Sequence, residues 1–259
     1  MNIIDDIKLQ YKIGGIANRV IYWNVAVFLV SIVFFYRYKS GVFEYPTWLT
    51  LTSTPTDVVY FPWTLLTYSF LHAGFWHLFF NMMVLLFSSM LFLTFFFFLQ
   101  FIGLYLLSAL FSGIAFVTGY YFLHLSSAMV GASGAIMAIL VATTTYRPLM
   151  NVRLMLLGNV KLWHITAVIL VLDFMQFRIE NTGGHIAHLA GAFFGFIFIK
   201  LLENGIDLSR ILTNPFKKSK RAPFKKVHKN YPKSTPKPSS RIVVKDKTQQ
   251  QIDEILDKI

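Results

Sequence analysis

From residue 58 to residue 146 the chain contains not one Asp, Glu, Lys or Arg. A soluble domain cannot cover its surface with such a stretch, since charged side chains make up about a quarter of an ordinary globular sequence. The rest of the composition agrees: 55% of the residues are hydrophobic, 27 are Phe and only 14% are charged, with a mean hydropathy of +0.56. An integral, all-α membrane protein is expected. A helix needs about 20 apolar residues to cross a hydrocarbon core of about 30 Å, so the chain has room for roughly five to seven spans and a tail. With no cysteine, it offers no disulfide, no thiol nucleophile and no Cys-ligated metal.

Residues 1–19 carry Asp5, Asp6, Lys8, Lys12 and Arg19 and read as a partly amphipathic cytoplasmic lead-in. The first apolar run, about 20–36, is too long for a signal-peptide core and lacks a small-residue cleavage site, so it reads as a retained first span. Lys8, Lys12 and Arg19 put its start on the positive side, against the weaker signal of Arg37 and Lys39 at its end. Residues 40–75 mix Pro46, Pro55, Pro62, Trp48 and Trp63 with short apolar runs and read as a structured loop at the outer interface. Gly, His and polar clusters then cut the remainder into spans at about 76–94, 100–122, 132–146, 162–176 and 184–202. Arg147, Arg153 and Lys161 mark a cytoplasmic loop before the fifth of the six spans, and a short loop with Arg178, Glu180 and Asn181 follows it.

Three segments follow from these cuts: a cytoplasmic lead-in at 1–19, a membrane domain at 20–204 and a basic tail at 205–259. From residue 206 onward the tail holds 14 of the 24 Lys and Arg against 5 of the 12 acids. Lys, Pro and Ser dominate 214–241, a disorder composition, and Ile252, Ile255, Leu256 and Ile259 close the chain at helical spacing. A solvated tail that fixes orientation is the simpler reading. Contact with anionic lipid is the functional one, and no nucleic-acid partner is expected. Both termini are placed in the cytoplasm, with a prokaryotic inner (plasma) membrane as the expected location.

With the N-terminus inside, the second, fourth and sixth spans start on the outer side, and the chemistry-bearing residues gather there. His77 and Asn81 open the second span, Ser133 the fourth, and His185 and His188 the sixth. Serine is a weak nucleophile until a base takes its proton, and histidine is the usual base. In Gly131-Ala132-Ser133-Gly134 the glycines let the backbone bend and a second helix approach, and unpaired amides at a helix start suit a developing oxyanion. Taken alone, GASG is an ordinary helix-packing motif. His188 is followed by Gly191 and Gly195, at i+3 and i+7, so it lies on a face that another helix can approach closely. His185 is the rival base. A zinc pair of His185 and His188 has no HExxH motif and no neighbouring carboxylate behind it. His77 and Asn81, four apart, stack as two donors on one face, and His72 precedes them as a loop anchor or a holder of water. A polar seam between helices is the plainer account of these three.

His72-x4-His77-x3-Asn81, Gly131-Ala132-Ser133-Gly134 and Ala187-His188-Leu189-Ala190-Gly191 together resemble the rhomboid family of intramembrane serine proteases in identity, order and spacing. The resemblance covers about residues 60–202. It implies a six-helix bundle with an interfacial loop between helices 1 and 2, and an active site opening outward through a water-filled cavity. It further implies Ser133 as nucleophile and His188 as base, a dyad with no acid. His77, Asn81 and the backbone at Ser133 would form the oxyanion hole, loop 40–75 would support the site, and span 5 would gate substrate access. No cofactor and no metal are implied. Three departures stand out: Thr64 occupies the place of an Arg after Trp63, Met137 replaces an aromatic ring beside the catalytic histidine, and the turn at 94–100 lacks charge.

The expected function is therefore a serine endopeptidase that cuts transmembrane or juxtamembrane segments of membrane proteins. The alternative is a catalytically silent relative that binds transmembrane helices, for which neither Ser133 nor His188 has a chemical use. A small transporter would prefer paired charges within spans, and Asp173 in the fifth span is the one acid they contain.

Overall fold

A computed structural model of the chain describes residues 2–154, 158–176 and 182–213. The loop residues Arg178, Glu180 and Asn181, the Lys-Pro-Ser tract and the amphipathic C-terminal stretch lie outside them. Helix α1 (Ile3–Ile13) leads into α2 (Gly15–Phe35), and Arg19 donates back to the carbonyls of Tyr11 and Lys12 across the bend. α2 ends where Tyr36 turns to extended backbone and pairs in a short hairpin, β1 (Tyr36–Arg37) with β2 (Val42–Phe43).

The segment between α2 and α5 (Phe75–Leu93), expected to lie at the outer interface, is folded. It contains β3 (Leu51–Thr52), α3 (Pro55–Tyr60), α4 (Thr64–Thr67) and a 3-10 turn at Tyr68–Phe70. Its aromatic and hydroxyl side chains close it on itself: Trp63 Nε1 donates to the Trp48 carbonyl at 2.7 Å and Thr67 Oγ1 to the Leu49 carbonyl at 2.8 Å. Thr64, the departure noted above, is buried and donates its hydroxyl to the Phe61 carbonyl at 2.7 Å.

Beyond the loop come α5 (Phe75–Leu93), α6 (Phe98–Leu123), β4 (Ala128–Met129), α7 (Ser133–Tyr146), a β5 (Asn151–Leu154) and β6 (Gly158–Lys161) hairpin, α8 (Leu162–Gln176), α9 (Thr182–Glu203) and α10 (Arg210–Thr213). The ends of α5, α6, α7, α8 and α9 lie within about two residues of the expected cuts, whereas α2 starts at Gly15, ahead of the expected residue 20. The uncharged turn between α5 and α6 is set by Gln100, whose Oε1 accepts the Phe97 amide at the open start of α6. Past α9 the chain stays packed: Ser209 lies against Gly103 on α6, where a methyl would collide with it.

Among the described residues, α2, α5, α6 and α9 are long and apolar enough to cross a membrane. α7 and α8 are apolar but have only 14 and 15 residues. At 1.5 Å per residue α7 is about 21 Å long, too short for a lipid-facing span. It does not need to be one, because every residue from Gly134 to Thr143 is buried. α7 is the central post, enclosed by its neighbours, and a helix buried all round has no reason to be amphipathic.

The closest packing in the bundle is between α7 and α9. A methyl added at Gly191 would strike the Gly134 carbonyl, and one at Gly195 the Ala138 carbonyl. These are two small-residue ledges four apart on each helix, the arrangement that lets backbones touch where lipid supplies no hydrophobic drive between helices. Gly195→Val should lower unfolding stability in micelles by about 1–3 kcal/mol through overpacking. Phe193→Leu, on the exposed face of the same helix, should stay within about 0.5 kcal/mol of wild type.

Candidate active site

The site begins at the break before α7. Residues 128–132 are not helical, and in a chain surrounded by helices their backbone groups need partners. The segment between α2 and α5 provides them: β3 pairs with β4 (Leu51 with Met129, Thr52 with Ala128), the Gly131 amide donates to the Tyr68 carbonyl at 2.9 Å, and Ser53 and Ser127 exchange two further bonds. Tyr68 is in turn pinned by its hydroxyl to the Ala109 carbonyl on α6 at 2.8 Å. Gly131 has a φ of +131°, and a Cβ there would lie 2.9 Å from the His77 ring. Only glycine fits both its backbone and its space.

Ser133 is the first residue of α7, so its amide and those following have no helical acceptor. Its Oγ lies 2.6 Å from His188 Nε2 on α9. The glycine contacts described above set this spacing, since Gly134 and Gly191 lie one and three residues from the two functional groups. Ser133 and His188 both line a cavity of about 540 Å³ with His77, Asn81 and Gly131. They also line a neighbouring, mostly apolar one of about 290 Å³ between α5, α7 and α8, with Phe80, Met137 and Ile169. Met137 and His188 thus line the same apolar cavity.

His77 Nδ1 accepts the Ala73 amide at 3.3 Å. Its proton is therefore on Nε2, which faces the space over Gly131 close to Ser133. Asn81 lines the same cavity, and its Nδ2 donates to the His77 carbonyl at 2.7 Å, which uses one of the two N–H groups of that amide. His72 is fully buried beside His77, and neither ring nitrogen has a hydrogen-bond partner among the described residues. Burial, helped by the neighbouring His77, pushes its pKa from 6.5 down to about 3. Its carbonyl accepts the Tyr45 hydroxyl at 2.8 Å.

His185 is not placed as a base for Ser133. Its Nδ1 lies 2.7 Å from Asp173 Oδ1 on α8, and the same oxygen lies 2.6 Å from His188 Nδ1. This corrects two sequence expectations: a carboxylate does adjoin the two histidines, and the serine–histidine pair is not without an acid. Sequence reasoning noted Asp173 only as a lone charge in a span. That isolation was the available signal, because an ionisable group inside an apolar helix needs a partner.

A serine hydroxyl in hydrogen-bond contact with an imidazole can pass its proton to it, and unpaired amides and a histidine N–H border the same space. The fold and site together define a mostly helical integral membrane protein with a serine–histidine pair beside cavities within the bundle. The rhomboid domain model matches residues 61–204, and the chain belongs to the rhomboid family. A comparison with curated proteins returns no match.

The depressed pKa of His72 has a consequence for stability. Between pH 6.5 and about 3 the unfolded chain binds a proton there that the folded protein does not, so stability falls as pH drops through 6.5. The loss attributable to this group is about 1.4 kcal/mol per pH unit. Unfolding measured in micelles between pH 7 and 5 should show a shallower pH slope for His72→Phe than for wild type.

Proposed function

We propose that the protein is an intramembrane serine endopeptidase that cleaves transmembrane or juxtamembrane segments of other membrane proteins. The observation that carries this reading is the 2.6 Å contact between Ser133 Oγ and His188 Nε2 at the junction of a polar and an apolar cavity. His188 takes the Ser133 proton as Oγ attacks the scissile carbonyl. The oxyanion is met by the Ser133 amide, His77 Nε2–H and the second N–H of the Asn81 amide. Collapse of the tetrahedral adduct breaks the C–N bond, and the leaving amine takes its proton from His188. Water then enters through the polar cavity to hydrolyse the acyl-enzyme by the same route.

In this reading α2, α5, α6, α7, α8 and α9 are the six spans of a membrane domain at about 20–204. Lys8, Lys12 and Arg19 hold the N-terminus in the cytoplasm, and an even number of spans returns the tail, from 205 on, to the same side. The β5–β6 hairpin, with Arg153 and Lys161, is then cytoplasmic, and the break before α7 faces outward. The apolar cavity between α5 and α8 supports α8 as the gate through which a substrate helix approaches. Substrates carry Gly, Pro or small polar residues near the cut, since only unwound backbone presents a carbonyl to Ser133. The basic tail contacts anionic lipid on the cytoplasmic leaflet.

Cleavage of a transmembrane substrate in liposomes tests the reading. Ser133→Ala and His188→Ala should each lower turnover at least about 10⁴-fold, with His185→Ala well above both. Equal cleavage by wild type and Ser133→Ala would rule out the serine mechanism. A wild type that binds the substrate helix without cutting would favour the silent relative.

A further inference from the structure

We propose that Asp173 is a positioning residue that sets His188 in the tautomer able to act as a base, and that His185 holds Asp173 in place to do so. This deepens the peptidase reading and rests on it for its catalytic consequence. The geometric part stands independently.

One oxygen, Asp173 Oδ1, lies 2.7 Å from His185 Nδ1 and 2.6 Å from His188 Nδ1. An ionised carboxylate only accepts hydrogen bonds, so at these distances both Nδ1 atoms are protonated donors. A neutral imidazole with its proton on Nδ1 keeps its lone pair on Nε2, and His188 Nε2 is the atom 2.6 Å from Ser133 Oγ. The opposite tautomer would point an N–H at the serine oxygen and could take no proton from it. Asp173 thus selects between a base and a bystander without touching Ser133. Once His188 accepts the serine proton, the same carboxylate faces the imidazolium that forms.

The carboxylate is costly where it lies. Asp173 is buried, and its Oδ2 has no hydrogen-bond partner among the described residues. A packing role would not call for such a group, since an apolar side chain of similar size avoids the desolvation. Its compensation is the pair of N–H donors on α9. His185, also buried, therefore acts as the second clamp that stops the carboxylate turning away from His188.

The same three groups form a candidate metal cluster, but the spacing argues for shared protons. Ligands of a tetrahedral ion at about 2.0–2.1 Å lie roughly 3.3 Å apart, whereas these N···O distances are 2.6 and 2.7 Å. A further consequence comes from the elements involved. Asp173 stands on α8 and both histidines on α9, so the base is oriented only while α8 is docked against α9. If α8 is the gate, its return after substrate enters also sets the catalytic tautomer.

The test uses the full-length protein in two ways. With ¹⁵N-histidine labelling in micelles, wild-type His188 should carry its proton on Nδ1, and Asp173→Asn should lose that preference. Wild-type His188 with its proton on Nε2 would overturn the proposal, whatever the variants do and whether or not a substrate is cut. In the liposome assay, Asp173→Asn should lower kcat by about 10²–10⁴-fold with KM changed less than about threefold. His185→Gln should lower kcat less, by about tenfold, in keeping with a hydrogen bond one step removed. Wild-type kcat in a folded Asp173→Asn would defeat the positioning role while leaving the peptidase reading intact. Full activity of Ser133→Ala would defeat the peptidase reading and leave the tautomer measurement to decide on Asp173.

Discussion

The backbone contact between α7 and α9 is the constraint on which the rest depends. Gly191 lies against the Gly134 carbonyl and Gly195 against that of Ala138, and no side chain fits between the helices at either place. In lipid, apolar side chains gain little by leaving one hydrocarbon environment for another, so association relies on close packing and hydrogen bonds. The Ser133–His188 contact lies within one helical turn of the tightest packing, and its short distance follows from the small residues around it. A bulkier residue at either glycine would separate the helices and the two functional groups together.

A second requirement arises because Ser133 stands at a helix start inside the bundle. The segment before it leaves its backbone unpaired, and away from water each orphan group costs free energy. The loop between α2 and α5 meets this need through the β3–β4 pairing and the Tyr68 carbonyl, and is itself tied to α6 by the Tyr68 hydroxyl. The loop is therefore structural support for the position of Ser133. Two buried polar side chains without a partner among the described residues lie close to this break: His72 beside His77, and Ser112 against Gly134.

Much of this was legible in the sequence, and for identifiable reasons. Helices end where Pro148, a polar cluster or a glycine interrupts an apolar run, so the cuts fell near the observed ends. Ser133, His77 and His188 were legible as uncommon residue types at helix starts with glycine beside them. The pairing of β3 with β4 was not, because strands of two residues carry no readable alternation. Asp173 was visible but unassigned: it is 12 and 15 residues from its partners, on a different helix. The choice between His185 and His188 was equally hidden, since both lie on nearly the same side of α9.

The sequence by itself determined that the chain resides in a membrane, where its helices begin and end, and which side chains have the chemistry for proton transfer. These depend on local composition and spacing, which a linear reading contains. Tertiary structure alone decided which of those groups meet: that His188 reaches Ser133, that His185 turns instead to Asp173, and that Asn81 rests on the His77 carbonyl. The physical reason is that helix rotation, tilt and depth are set by how the small-residue faces interlock, and a displacement of about 1 Å there separates a hydrogen bond from a near miss.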